Sequence, residues 1–270
     1  MKLSNSEFKL GTTVVLAYPD DTRLGGYRAA LELWKLLAAG DAHSSSACTA
    51  SFDALAAEVV QPQDVSPIGV AFDRNDAGTS KQVTIVLTTP VSHPELSFCL
   101  VSGLPAPERI PELVDSLISL LEEHGVKRIV VPAAANITGV KDRDRVWVEF
   151  PASANKHIQS RLTTLACIPS TAQTSDVFLS ALSNIAAVSG IGETVLLVHG
   201  DKRPGGSAYR QSTVFGEDYA DSDDADIVSA LVRALAMAVG VDNTASAVPV
   251  KAVRERLDVD AASRGLQVFG

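Results

Sequence analysis

The stretch "ERIPELVDSLISLLEEHGVKRIVVPAA" (residues 108–134) decides the fold class. Apolar side chains fall at 110, 113, 114, 117, 118, 120 and 121, which is one broad face of a helix, and Gly125 supplies its stop. Immediately behind the helix, "VKRIVVPAA" (126–134) is a short run dense enough in Val and Ile to be a buried strand. Ahead of it, "LSFCLVSG" (96–103) reads the same way. Strand, helix and strand at this spacing form a βαβ unit, so the strands at 96–101 and 128–131 are expected to run parallel with a right-handed crossover.

The same reading extends outward in both directions. "TTVVLAY" (12–18) is β-branched and apolar and is halted by Pro19 and two aspartates, which makes it a buried strand. In "YRAALELWKLLAAG" (27–40), Leu33, Trp34 and Leu37 share a helical face, with Gly40 as the stop. Residues 41–65 are rich in Ala and Ser and hold a short helical candidate, "FDALAAEVV" (52–60). "PIGVAFD" (67–73) and "QVTIVLTT" (82–89) flank "RNDAGTS", whose Asn, Asp and Gly predict a hairpin.

Toward the C-terminal end, "WVEF" (147–150) is a strand and "DVFLSALSNIAAVSG" (176–190) a helix. "ETVLLVHG" (193–200) is again a strand, followed by a long loop, 201–224. "ADIVSALVRALAMAVG" (225–240) is a second strong helix, and "VKAVRERL" (250–257) a last short one. Together these predict one α/β domain over 1–257, a three-layer sandwich with a mixed, partly parallel central sheet. A flexible tail, 258–270, follows it.

Composition narrows the partners. The formal charge of −9 over 270 residues disfavours nucleic-acid backbones and anionic membranes. No apolar run approaches the roughly 18 residues that a membrane helix needs, and the opening "MKLSNSEFKL" has no apolar core of a secretory signal. Three widely spaced cysteines, Cys48, Cys99 and Cys167, suit a reducing compartment and read as small buried side chains. A cytoplasmic location, with the nucleus as a second one, is the expectation.

Residues that would carry chemistry are few. The chain holds no G-x-S-x-G elbow, Walker A loop, H-E-x-x-H or C-x-x-C motif. "SGIGETV" (189–195) has two glycines, but it lies between a helix and a strand, where helix termination accounts for them. "DDTRLGG" (20–26) resembles a phosphate-binding turn only as far as any turn into a helix does. The acidic run 217–226 could hold a hard cation. It lacks the glycine and final glutamate of an EF-hand loop, and its charges also suit the first turn of the helix that follows.

The best candidate ligand site is at the end of the 193–200 strand, where α/β sheets place their sites. His199 stands there beside Asp201, Lys202 and the pair Gly205–Gly206. A phosphate or carboxylate could sit on those backbone amides and on Lys202 or Arg203. No nucleophile or base partner accompanies them, so no catalytic residue, cofactor or metal ligand is assigned.

The tail is more specific. "DVDAASRGLQVFG" ends on Val268, Phe269 and Gly270. Extended, it reaches about 40 Å from the body at roughly 3.3–3.6 Å per residue. Capture of a terminal carboxylate beside side-chain pockets is a known recognition mode. Phe269 is read either as the anchor of such docking or as an aromatic that packs onto its own sheet.

This ending resembles the tail by which proteasome activators and certain assembly chaperones dock onto the proteasome α-ring: a hydrophobic residue, an aromatic that is usually Tyr, and any last residue. Val268, Phe269 and Gly270 fit it, with Phe in place of Tyr and the hydroxyl therefore missing. The helix-then-strand of residues 113–134 is also similar to that of both members of the proteasome assembly chaperone family, and the order of elements from 176 onward to the first-chaperone type. The resemblance implies a non-enzymatic protein that pairs with the second proteasome assembly chaperone as a heterodimer. It would hold proteasome α-ring subunits and insert its tail between them. It also implies an α/β architecture related to that of nucleoside-phosphorylase-like enzymes. An enzyme of that type, or a hydrolase, with its site near residues 199–206, is the competing reading, and a cation-binding module at 217–226 a third.

Overall fold

The computed structural model describes residues 1, 3–20, 25–38, 46–53, 82–135, 146–149, 159–160, 162–163, 168–169, 176–199 and 222–241. Eight strands join in one sheet: β1 (Thr13–Ala17), β2 (Ser46–Asp53), β3 (Gln82–Thr89), β4 (Leu96–Val101), β5 (Arg128–Ala135), β6 (Val146–Glu149), β7 (Ile168–Pro169) and β8 (Gly192–His199). Their order across the sheet is β2-β3-β4-β1-β5-β8-β6-β7. Among the described residues the helices that pack on it are α1 (Gly25–Ala38), α2 (Ile110–Glu123), α3 (Val177–Ser189) and α4 (Ser222–Val239), and 159–160 and 162–163 are also helical.

The four strands β4, β1, β5 and β8 are mutually parallel. They are the apolar runs the sequence offers, buried along nearly their whole length, as strands covered on both faces must be. β4 and β5 run parallel as the βαβ unit requires, but they do not touch. β1 lies between them, Thr13 pairing with Leu96 on one side and with Arg128 on the other. Helix α2 therefore crosses over β1 on its way from β4 to β5. β3 and β6 run antiparallel to their parallel-set neighbours, which makes the sheet mixed.

Helices cover both faces, giving the expected three layers. One core cluster joins Leu16, Val131 and Leu197 of the sheet to Leu113, Leu117 and Leu121 of α2 and Phe178 and Leu182 of α3. The other joins Val15, Val130 and Leu196 to Tyr27 and Leu33 of α1 and Leu231 and Leu235 of α4. The alternation of side chains along each strand sends odd and even residues to opposite layers.

Helix ends follow local chemistry. A single 3₁₀ turn, Pro107–Arg109, leads into α2, whose second residue is Pro111, where no amide hydrogen is missed. Asp176 caps α3 by accepting from Leu179 N at 2.9 Å. Gly190 closes α3 in the left-handed conformation at φ 81°, so its glycine terminates a helix as expected.

Two expectations change. Phe52 and Asp53, placed in a helix by their Ala-rich surroundings, belong to β2, which pairs with β3 from Ser46↔Thr89 to Asp53↔Gln82. The proposed hairpin partner 67–73 lies outside the described residues; the partners that β3 has are β2 on one edge and β4 on the other. The short helix at 250–257 and the tail also lie outside them.

Candidate functional site

In a sheet of this type, ligand sites form beyond the carboxyl ends of the parallel strands. Three of those ends are described in detail. β1 runs out through Tyr18 and Asp20, β5 ends on Ala133–Ala135, and β8 ends on His199, whose backbone is in register with Ala135.

Asp20 turns its carboxylate onto the start of α1. Oδ2 accepts from Gly26 N at 3.0 Å and from Ala134 N at 3.1 Å, and the residue is only 2% exposed. The first amides of a helix have no intrahelical acceptor and carry the positive end of its dipole, which makes them the usual seat of a bound anion. Here the protein's own carboxylate takes one of those amides. Gly26 allows the geometry: a Cβ there would lie 2.1 Å from Pro132 O, so α1 is seated directly against β5. The Gly–Gly pair of "DDTRLGG" thus serves helix–strand packing, in agreement with its reading as a helix start; residues 21–24 lie outside the described residues.

On the opposite face, Tyr18 Oη donates to Asp176 Oδ2 at 2.7 Å, and the Tyr18 ring stacks on Phe178 with centroids 4.2 Å apart. Asp176 thus caps α3 with one oxygen and anchors β1 with the other. Neither Tyr18 nor Asp20 stood out in the sequence as a site residue. Asp176, directly ahead of an apolar helical run, is an N-cap signature that could have been singled out.

His199 sits at the strand end as expected and is 8% exposed. By alternation along β8 it follows Val195 and Leu197, which face the α2–α3 layer. Its proposed companions Asp201, Lys202, Gly205 and Gly206 lie outside the described residues, as do Val268, Phe269, Gly270 and the acidic residues 217–221. Among the described residues no group of three His, Cys, Asp or Glu side chains is arranged to hold a metal ion. Cys48 and Cys99 are free and buried, as small apolar side chains are, and burial pushes the Cys99 thiol well above the usual range. Among the described residues no helix is long and apolar enough to cross a membrane.

No family model matches this sequence, and no curated protein does. Solved structures do share its fold. The archaeal proteasome activator PbaB of Pyrococcus furiosus superposes with a TM-score of 0.60 at 12% identity, over 98% of this chain and 98% of its own. PbaA of the same organism, an archaeal homolog of proteasome-assembly chaperone, gives 0.56 at 14% identity, over 97% and 93%. A Thermoplasma acidophilum protein of unknown function gives 0.56 at 12%, over 97% and 89%. The fold is thus that of archaeal proteasome-assembly-chaperone homologues, at low sequence identity.

Proposed function

We propose that this protein is a non-enzymatic proteasome-assembly chaperone of the first-chaperone type. In this reading it works in the cytoplasm, and in a nucleus where there is one. The body, 1–257, pairs with a second assembly chaperone as a heterodimer and holds α-ring subunits. The tail, 258–270, inserts Val268, Phe269 and the Gly270 carboxylate between neighbouring α-subunits. The observation that carries the reading is the near-full-length likeness to both PbaA and PbaB, a chaperone homologue and a proteasome activator by their own descriptions.

Two features add support. Val268, Phe269 and Gly270 fit the apolar–aromatic–any pattern of α-ring docking tails. Asp20 occupies, with its own carboxylate, an amide of the helix start where an enzyme of similar architecture would seat a phosphate.

Burying Val268 and Phe269 in a pocket would contribute about 1.5–3 kcal/mol each, and a lysine facing the terminal carboxylate would add a charge-assisted hydrogen bond. The absent tyrosyl hydroxyl removes one polar contact and leaves the ring's apolar area. The test is co-sedimentation with a purified proteasome α-ring. Full-length protein should bind, and Phe269→Ala and deletion of 268–270 should each weaken binding about tenfold or more, with the thermal midpoint unchanged in both. Binding by the truncated protein equal to that of the full chain would refute tail docking.

A further inference from the structure

Helices α2 and α3 lie side by side on one face of the sheet and share a core. At about 100° per residue, their exposed positions trace the same stripe. On α2 it is Glu112, Asp115, Ser119, Glu122 and Glu123, with Pro111 exposed beside them in the first turn; on α3, at the spacing of those five, it is Val177, Ser180, Asn184, Ala187 and Val188. Equal geometry carries opposite chemistry. The α2 stripe holds four carboxylates and is an ordinary solvated face. The α3 stripe holds no charge, and α3 has no charged residue along its whole length.

A solvent-facing stripe is normally the charged side of an amphipathic helix. Among the described residues three large apolar side chains are exposed, and two of them, Val177 at 47% and Val188 at 90%, are on this stripe. They are eleven residues apart, hence within about 20° of each other around the helix axis. Single exposed valines need no explanation, but two aligned on an uncharged helix beside a row of carboxylates form an apolar seam with an acidic flank.

We infer that this face docks an amphipathic helix of a partner protein, with small and apolar residues on the seam and Lys or Arg along the edge that meets α2. Charge complementarity selects the occupant. Glu112 already holds Arg109 at 2.7 Å, while Asp115, Glu122 and Glu123 have exposed carboxylates available to a basic edge. The stripe shares no residue with the tail, and the inference does not rest on the proposed function.

Two synthetic amphipathic helices with the same apolar face, one edged with Lys and one with Glu, test this by fluorescence anisotropy on the full chain. The Lys-edged peptide should bind at least about tenfold more tightly, and more weakly as salt rises. Val188→Asp, a change at an exposed position, should cost about tenfold in affinity at unchanged thermal stability. Glu122→Lys with Glu123→Lys should erase the preference between the peptides. Equal binding of both peptides, binding of neither, or a concentration-dependent dimer in sedimentation that Val188→Asp abolishes would each overturn the assignment, the last by giving the seam to a second copy of this chain.

Discussion

Tyr18 and Asp176 meet across the top of the sheet, Oη to Oδ2 at 2.7 Å, although 158 residues separate them. The bond fastens the exit of the central strand β1 to the first turn of α3, and the stacked Phe178 ring shields it from water. Within a buried setting such a charge-assisted bond is stronger than its exposed equivalent.

Replacing Asp176 with Ala therefore removes two interactions at once, the cap and the tyrosine's acceptor. A loss of about 2–4 kcal/mol is expected, a cap contributing about 1 and an orphaned buried hydroxyl about 1–3. Tyr18→Phe keeps the cap and should cost less. Urea denaturation of the two single variants and the double variant measures the coupling, and purely additive losses would show that the bond carries no energy of its own.

Gly26 and Gly190 should respond differently to the same substitution. A Cβ at Gly26 would collide with the backbone of Pro132 and Ala133, at 2.1 and 2.6 Å, and neither can yield without moving β5. Gly26→Ala is expected to prevent folding or cost more than about 4 kcal/mol. Gly190 has nothing within 4 Å and only its left-handed φ to protect, so Gly190→Ala should cost about 1 kcal/mol. Far-ultraviolet circular dichroism during thermal melting separates the two outcomes.

Tyr27 presents the reverse case. Its hydroxyl is buried between α1 and the sheet and has no hydrogen-bond partner among the described residues. An unsatisfied buried group weakens a fold, so Tyr27→Phe should leave stability unchanged or raise it by up to about 1 kcal/mol. A clear loss in urea titration would mean that the hydroxyl has a role that the contacts do not reveal.

Alkaline solution should destabilise the protein ahead of any gross charge effect. Burial holds the Cys99 thiol far above its ordinary range, and Tyr27 is raised by burial first and by the neighbouring Cys99 second. In the unfolded chain these groups ionise near pH 8.5 and 10. Between those values and the raised folded ones, the native state binds more protons than the unfolded state, so stability falls as pH rises. It should begin to decline above about pH 8.5, by at most about 1.4 kcal/mol per pH unit from Cys99. Cys99→Ala should flatten the first part of that decline in urea melts at pH 7 to 10.

What the sequence disclosed tracks how strongly each segment is buried. β1, β4, β5 and β8 are dense in Val, Leu and Ile, and their type and place were legible because burial on both faces leaves little choice of residue. α2 and α3 were legible from periodicity and glycine stops. β2 was not, because "SACTASFD" has no run of large apolar residues and its last two, Phe52 and Asp53, lead into the Ala-rich "ALAAEVV"; its pairing with β3 decides the matter. The two residues of β7 are too short to leave any pattern. Of the site, His199 at a strand end was legible from the run before it. The roles of Tyr18 and Asp20 were hidden, since each depends on a partner from a distant element.

The position of β1 has a consequence for how the chain is made. The strand that both neighbours need as a template leaves the ribosome first, yet Thr13 must wait for Leu96 and then for Arg128 before either of its edges is matched. Such long-range parallel pairing is slow. Until β4 emerges "TVVLA" is an apolar ribbon with two open edges, and until β5 follows it keeps one. The chain is thus at risk of clumping during synthesis, and its yield in a cell should depend on how promptly residues 96–135 follow.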